Sequence, residues 1–580
     1  MDFNDIYTRE LIDLRRRGEE ACRDNPALAP FLMTPGADPG VERVFEAAAF
    51  LFARLRQKLD DELPEVLEPL FSLVWPHYLC QMPATSIIQY QVTSNVSGET
   101  SIPRGTRVSS IPIEGTPCHF RTIYDVRLLP LQVSGLVQQE GAGEVALVLR
   151  LNVTNGSLAT LAIPKLSLFL GGENALDLYY TLLRDVSELR VHIKDDVSAD
   201  YEIARFDPSI IHPLGFSKEE GMYPFAETTP LPYRILFEYF GYPEKFHFIE
   251  LRPPAGLLFS GAPGGIEAPE TLELHFILRN RPECYESVTA DDVKLFCTPV
   301  INLFQVPDLP LAVEKSEVRI VPDPANPDHY GVYSMDRVAG WDEEEKKSVD
   351  ILSDISLGFP PEFLQPPQKY RFHIRPTLSG EKTEAFLSFH GVNNELIRLD
   401  LTCTNGALPQ KLSIGDICIA TDGGAHGAAP FSNIVGVTCP SRAPCPESVL
   451  WRLLSDASPN ILLLTDVQAF RAVLRNYHFR ARHDARCSQA LENQLLGIVH
   501  ISCRETDRLV RGRVVRGLQT RITIDESQYR NHGEIYLFGA ALNAFLERHA
   551  TLYSFHQCAV MLNKSRKEFI WPPAFVSMDK

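Results

Sequence analysis

The segment that begins at residue 38 constrains the fold most, because it is apolar on more than one face of a predicted helix. Asp38 followed by Pro39 is typical of an N-cap and a first helical residue, and Pro64 ends the pattern. This predicts about 22 helical residues, roughly 33 Å long. The helix needs cover on most of its surface, so we interpret it as the spine of a helical bundle. Its apolar stripe is Val41, Val44, Phe45, Ala48, Leu51, Phe52, Leu55 and Leu59, widened by Ala47, Ala49, Phe50 and Ala53.

Two further helices are predicted on either side of this spine. Residues 3–23 carry apolar residues at steps of three and four, with a charged opposite face. Residues 66–74, after Pro64, repeat a helical pattern up to Trp75 and Pro76. We therefore expect residues 1–82 to form an N-terminal helical bundle region.

From Thr85 onward the apolar pattern has the period of strands, broken by Gly and Pro. Helices are predicted within it at 176–186 and 233–246. A proline-rich loop at 321–330 and a glycine-rich stretch at 421–446 suggest boundaries. The last part combines helices at 465–479 and 536–552 with strands between 496 and 524. We therefore expect a multi-domain α+β protein, with a β-rich α+β domain at 83–300, a β-rich domain with loops at 301–440 and a C-terminal α+β domain at 441–580.

The charge balance disfavours a polyanionic partner. Lys and Arg number 56 against 74 Asp and Glu, so the net charge is -18, which argues against nucleic acid or an anionic lipid surface. The local basic cluster is better explained by solvated or partner-facing arginines; it comprises Arg504, Arg508, Arg511, Arg513 and Arg516. The acidic start and the lack of a run of 18 apolar residues predict a cytoplasmic protein without membrane insertion.

Motifs for common chemistries are missing from the sequence. The P-loop, nucleophile-elbow, zincin and dinucleotide-binding patterns do not occur, so we expect no catalytic residues and no cofactor of these common classes. The twelve scattered cysteines are expected to be reduced and mostly buried. The pattern nearest to a zinc site consists of His483, Cys487, His500 and Cys503. A simpler interpretation is that the two cysteines are core residues and His483 is a surface residue.

Three acidic residues, Asp60, Asp61 and Glu62, follow the predicted spine helix. At the C-terminus of a helix they would oppose its dipole by roughly 0.3–1 kcal/mol. Either they belong to the N-terminus of the next helix, where acids are favourable, or they accept arginines from a partner subunit. A similar carboxylate pair, Asp291 and Asp292, is interpreted as solvated charge or capping.

The spine segment also carries a family resemblance. Residues 38–79, DPGVERVFEAAAFLFARLRQKLDDELPEVLEPLFSLVWPHYL, are similar to the N-terminal signature of the TssF (VasA, ImpG) family of type VI secretion baseplate subunits. Further matches are IPRGTRV with CHFRT, HPLGF, LFEYFGYPEKFHFIEL, FCTPVINLF, WRLLSDASPNIL and VRGRVVRGLQTRITIDE, so the resemblance covers nearly all 580 residues.

The resemblance implies a structural assembly subunit, similar in fold to wedge proteins of contractile phage-tail baseplates. It implies that two copies join one TssG, with TssE and the TssK adaptor, around the VgrG spike. The complex would dock on the membrane complex at the inner membrane and nucleate the sheath. Partner contacts are expected where an 80-residue helical unit cannot bury its apolar side chains. The expected interface residues are Leu11, Leu14, Phe45, Phe52, Leu55, Leu59, Asp60, Asp61 and Glu62.

Two other functions stay open from the residues alone. One is an enzyme of mixed fold, which would need a concave site lined by converging titratable groups. The other is a wedge protein of a different contractile injection system or of a phage tail.

Overall fold

The computed structural model describes most of the chain in separate stretches. These are residues 7–8, 11–12, 14–15, 22, 39–60, 81–92, 100–141, 143–155, 158, 161–194, 200–224, 231–254, 256–258, 271–313, 317–342, 347–353, 369–376, 383–390, 396–421, 429–441, 465–477, 485–510, 512–547 and 555–575. The chain divides into two compact units, and each is described by itself. Unit 1 comprises residues 1–73 with 445–454, and unit 2 comprises 74–444 with 455–580.

Six α-helices lie in the described residues: α1 Pro39–Asp60, α2 Ala175–Tyr180, α3 Leu231–Gly241, α4 Val467–Arg475, α5 Ala485–Leu496 and α6 His532–Leu546. The 22 residues of α1 confirm the predicted spine helix. The predicted helix at 176–186 is present as α2 continued by a π-helical turn, Thr181–Asp185. The helix at 233–246 is present as α3 followed by the 3-10 turn Pro243–Phe246, and α5 was not predicted.

The described residues in the first half of unit 2 contain seventeen strands. They are β1 Thr85–Tyr90, β2 Thr100–Ile102, β3 Arg107–Ile113, β4 Thr116–Thr122, β5 Val126–Leu128, β6 Leu131–Gly141, β7 Glu144–Val153, β8 Ala162–Ile163, β9 Leu166–Leu170, β10 Val186–Lys194, β11 Asp200–Phe206, β12 Ile211–Pro213, β13 Phe248–Leu251, β14 Leu257–Leu258, β15 Thr271–Leu278, β16 Val293–Leu295 and β17 Cys297–Ile301.

The second half contains fifteen more strands within the described stretches. They are β18 Phe304–Ala312, β19 Glu317–Ile320, β20 Gly331–Asp342, β21 Lys347–Asp350, β22 Leu352–Ser353, β23 Lys369–Pro376, β24 Thr383–His390, β25 Leu396–Thr404, β26 Ile417–Ala420, β27 Phe431–Asn433, β28 Ile498–Val510, β29 Arg513–Ile524, β30 Phe555–Leu562, β31 Glu568–Ile570 and β32 Ala574–Phe575. The mixed α+β fold class is confirmed.

The described residues of unit 1 are helical. Tyr7, Leu11, Leu14 and Cys22 lie in helical turns, as the predicted first helix requires. The Arg15 guanidinium donates a hydrogen bond to the carboxylate of Glu42 on α1, so the two helical segments are tied by an ion pair. The predicted helix at 66–74 lies outside the described residues.

A six-stranded sheet joins distant parts of unit 2. Its order is β26-β3-β4-β17-β1-β27, and all of its pairs are antiparallel. Ile88 pairs with Asn433 across β1 and β27. The glycine-rich stretch at 421–446, interpreted as a separator, therefore contributes a strand to the first β-rich domain.

Two more sheets complete the first β-rich domain. A five-stranded antiparallel sheet has the order β11-β10-β15-β7-β6, and a four-stranded sheet has the order β12-β13-β9-β16. Two short pairs, β14-β8 and β2-β5, lie beside them.

The strands β18 to β25 form a sandwich of two four-stranded sheets, β18-β25-β20-β21 and β19-β24-β23-β22. Their facing side chains share one hydrophobic cluster, in which Ile397, Leu399 and Leu401 of β25 alternate with outward-facing residues. This alternation is the period-two pattern of a half-buried strand. The proline-rich residues at 321–330 form a loop without strands, as predicted.

The C-terminal helix α6 is largely enclosed. Eleven of its 15 residues are buried, and it packs against α2, α3 and β30. Two glycines permit this approach: a Cβ on Gly533 would lie 2.0 Å from the carbonyl oxygen of Leu176, and one on Gly539 would lie 2.4 Å from Trp571. The five-stranded sheet beside α6 has the order β28-β29-β30-β31, with β32 also on β30.

Candidate interaction surfaces

One stripe along α1 leaves bulky apolar side chains in solvent. Val44 and Leu51 are 64% and 66% exposed, and they lie seven residues apart on the same side of the helix. Phe50 and Phe52 flank them and are 45% and 48% exposed. The described part of this chain therefore does not supply the cover that the sequence of α1 requires.

The buried stripe of α1 is made of small residues instead. Ala49 and Ala53 are fully buried, and Phe45 beside them is half-buried. Because alanine side chains are short, this face permits a close approach by neighbouring chain. The larger apolar side chains consequently point away from the packed side.

The expected interface residues fall into three groups. Phe52 is exposed, while Leu11, Leu14 and Phe45 are half-buried. Leu55, Leu59 and Asp60 lie in α1, but their side chains are outside the described residues, as are Asp61 and Glu62 altogether. The exposed apolar residues of α1 missing from the expected set are Val44, Phe50 and Leu51. The spacing of seven between Val44 and Leu51 was the signal that could have identified those two.

The residues considered for zinc are not arranged as a metal site. Cys487 lies on α5, His500 and Cys503 lie on β28, and His483 is outside the described residues. The Thr520 hydroxyl donates to the sulfur of Cys503 at 3.7 Å, and burial raises the pKa of this thiol. Across the described stretches, no group of three or more His, Cys, Asp and Glu side chains is placed to hold a metal ion.

The buried cysteines likewise offer no reactive thiol among the described residues. All ten described cysteines are free, and six of them are buried. Burial raises the pKa of the Cys284 thiol to about 11 and that of the Cys558 thiol to about 12. Cys80 and Cys445 lie outside the described residues. These buried thiols behave as packing groups, because the reactive thiolate form is disfavoured.

A cavity of about 200 Å³ in the first β-rich domain is the strongest test of the enzyme alternative. Its walls carry both signs of charge and include Arg104, Asp125, Lys165, Glu220, Glu250 and Arg252.

Two carboxylates of this cavity, Glu220 and Glu250, already have hydrogen-bond donors. Glu250 accepts hydrogen bonds from Ser167 at 3.1 Å and from Arg252, and it lies 3.2 Å from Lys165. Burial alone would raise the pKa of Glu250, but Arg252 and Lys165 outweigh it and hold the pKa below its ordinary value. Glu220 accepts from the backbone N–H groups of the 215–217 turn. The contacts of Glu250 favour its ionised form, which cannot act as a general acid.

A fully buried ion pair lies next to this cavity. Glu238 of α3 and Lys245 of the following 3-10 turn are both 0% exposed, and the ammonium donates to the carboxylate and to the Gly215 carbonyl at 3.1 Å. The other carboxylate oxygen accepts from the Met222 N–H at 2.7 Å and lies 3.7 Å from Arg234.

Arg234 extends the cluster to the loop that precedes α3. Its guanidinium donates to the carbonyls of Ser217 and Lys218. The loop at 215–222 is therefore fastened to α3 by hydrogen bonds with charged side chains. The predicted capping role of the other carboxylate pair is confirmed for Asp292, which accepts from the Thr289 backbone N–H at 2.8 Å.

The hairpin formed by β28 and β29 extends beyond its sheet. β29 pairs with β30 only over Leu518–Ile524, whereas β28 and β29 pair as far as Val510 and Arg513. Leu509 and Val514 face each other across the ribbon and are 74% and 73% exposed. This places an apolar pair at the tip of a two-stranded arm.

Among the described residues, no helix combines the length and the apolar character needed to cross a membrane.

Comparison with known proteins matches the chain to one family along nearly its whole length. The family described as "Type VI secretion system, TssF" matches residues 1–577. The type VI secretion system component TssF1 of Pseudomonas aeruginosa is 27% identical over 622 aligned residues, which cover 98% of this chain and 97% of that protein.

Solved structures extend the similarity to three dimensions. A chain in the cryo-electron microscopy structure of the type VI secretion system TssK-TssF-TssG baseplate subcomplex is 26% identical, with a TM-score of 0.76, covering 92% of this chain and 99% of that one. A chain of the baseplate complex from the type VI secretion system has the same fold, with 23% identity, a TM-score of 0.67 and 99% of both chains covered. The match over nearly the whole length shows that this chain belongs to the TssF family of type VI secretion system proteins.

Proposed function

We propose that this chain is a structural, non-enzymatic subunit of a type VI secretion baseplate wedge that assembles with TssG and TssK. The observation that carries the proposal is its similarity, over 92% of its length, to a chain in a TssK-TssF-TssG subcomplex. In the fuller form of the proposal, two copies join one TssG, TssE completes the wedge, and wedges surround the VgrG spike. This cytoplasmic assembly then docks at the inner membrane and nucleates the sheath.

The exposed stripe of α1 supports the partner part of the proposal. Val44 and Leu51 expose about two thirds of their side-chain surface, at 64% and 66%. Large apolar side chains in a contiguous exposed row are typical of a protein interface. We propose that TssG covers this row, with Leu11, Leu14, Phe45, Phe52, Leu55 and Leu59 beside it.

The enzyme alternative lacks support in the described residues. On the wall of the 200 Å³ cavity, Glu250 is paired with Lys165 and Arg252, and the thiol of Cys297 has a pKa raised by burial. A structural role does not require an unpaired carboxylate or a reactive thiol.

Co-expression with TssG tests the proposal. The wild-type chain is expected to form a stable complex with TssG, which TssK then joins, as measured by size-exclusion chromatography with light scattering. Val44→Ser/Leu51→Ser is expected to weaken the complex at least tenfold, since each substitution removes about 1–2 kcal/mol of apolar burial. Ile414→Ser is the control, because Ile414 is equally exposed, at 65%, and lies in unit 2.

A soluble wild-type monomer that ignores TssG would contradict the proposal. The acidic residues are tested separately by Asp60→Asn/Asp61→Asn/Glu62→Gln. Assembly that survives this triple change would exclude the idea that they accept partner arginines, without affecting the apolar interface.

A further inference from the structure

We draw no further inference here: the strongest candidate, the exposed apolar pair Leu509 and Val514 at the tip of the β28–β29 hairpin, lies beside the charged Asp507 and Arg516, and nothing in the described residues shows what covers it.

Discussion

The buried ion pair between Glu238 and Lys245 allows a quantitative test of how unit 2 is held together. Both side chains are 0% exposed, and they connect α3 to the loop at 215–222. Glu238→Gln keeps the shape and an acceptor for the Met222 N–H but removes the negative charge. The Lys245 ammonium is then buried with the Gly215 carbonyl as its remaining hydrogen-bond acceptor among the contacts described here.

The expected cost follows from the protonation of lysine. Burial already lowers the pKa of Lys245, although Glu238 opposes this effect. Without the carboxylate, the lysine can escape burial of its charge by releasing its proton. At pH 7, releasing this proton costs about 4.6 kcal/mol for a reference pKa near 10.4. That cost sets an upper bound on the destabilisation from the unpaired lysine. We therefore expect a loss of about 3–4 kcal/mol, within the range seen when one partner of a buried pair is removed.

The same reasoning predicts a pH dependence with a definite sign. At pH 9 the release of the lysine proton costs only about 1.9 kcal/mol, so Glu238→Gln is less destabilising there than at pH 7. Lys245→Met, which leaves no lysine to titrate, lacks this relief. The double variant Glu238→Leu/Lys245→Met is expected to cost less than the sum of the single changes, because neither charge is left unpaired.

Amide hydrogen exchange followed by mass spectrometry measures this effect locally. After correction for the intrinsic pH dependence of exchange, peptides covering α3 and 215–222 are expected to exchange at least about 100-fold faster in Glu238→Gln at pH 7. The sandwich of β18 to β25 serves as an internal reference. Glu202→Gln, which breaks an exposed pair with Arg205, is the matched control and is expected to cost less than about 1 kcal/mol. Exchange within threefold of wild type at pH 7, or equal destabilisation at pH 7 and pH 9, would refute the argument.

Three further predictions concern other parts of unit 2. Burial raises the pKa of Glu547 to about 7 from 4.5, so the folded state binds an extra proton and loses up to about 3 kcal/mol of stability as pH rises through this interval. Glu547→Gln should remove this dependence of the urea midpoint on pH between pH 5 and 7, and an unchanged dependence would count against it. Gly533→Ala should destabilise the fold around α6 by about 1–3 kcal/mol, because the new methyl group meets the Leu176 backbone. The control Gly436→Ala should leave stability unchanged, since no atom lies within 4 Å of its added Cβ. Equal shifts of the thermal midpoint in the two variants would exclude the steric cause. Leu399→Ala, at a fully buried position of the sandwich, should lower the free energy of unfolding in urea by about 2–5 kcal/mol. The exposed Ile414→Ala should lower it by less than about 0.5 kcal/mol. A loss below about 1 kcal/mol for Leu399→Ala would mean that the surrounding side chains close the cavity.

The elements with strong periodicity were predictable from local sequence. α1 has the predicted 22 residues because Pro39 and Pro64 bracket a continuous helical pattern. α5 was missed because its sequence, ARCSQALENQLL, is polar and lacks a clear apolar stripe. Its helical state depends on neighbours such as Tyr529, whose hydroxyl donates to the Gln494 carbonyl.

The candidate surfaces were only partly predictable. Helical spacing identified α1 as a carrier of excess apolar surface, but it could not decide which stripe faces inward. The structure buries Ala49 and Ala53 and exposes Val44 and Leu51. The arginines at 504–516 were visible in the sequence, whereas the projection of their hairpin depends on where β30 stops pairing with β29.

The sequence alone determined the α+β class, the length of α1 and, through motifs spread over the whole chain, membership of the TssF family. These follow from local periodicity and from residue identity, which need no long-range contacts. Tertiary structure decided that α6 is largely enclosed while α1 leaves an apolar stripe exposed, because burial depends on what packs against a helix. α6 packs against α2, α3 and β30, and Gly533 allows the close contact with α2. It also decided that Glu238 and Lys245 meet inside the fold and that Leu509 and Val514 remain outside it.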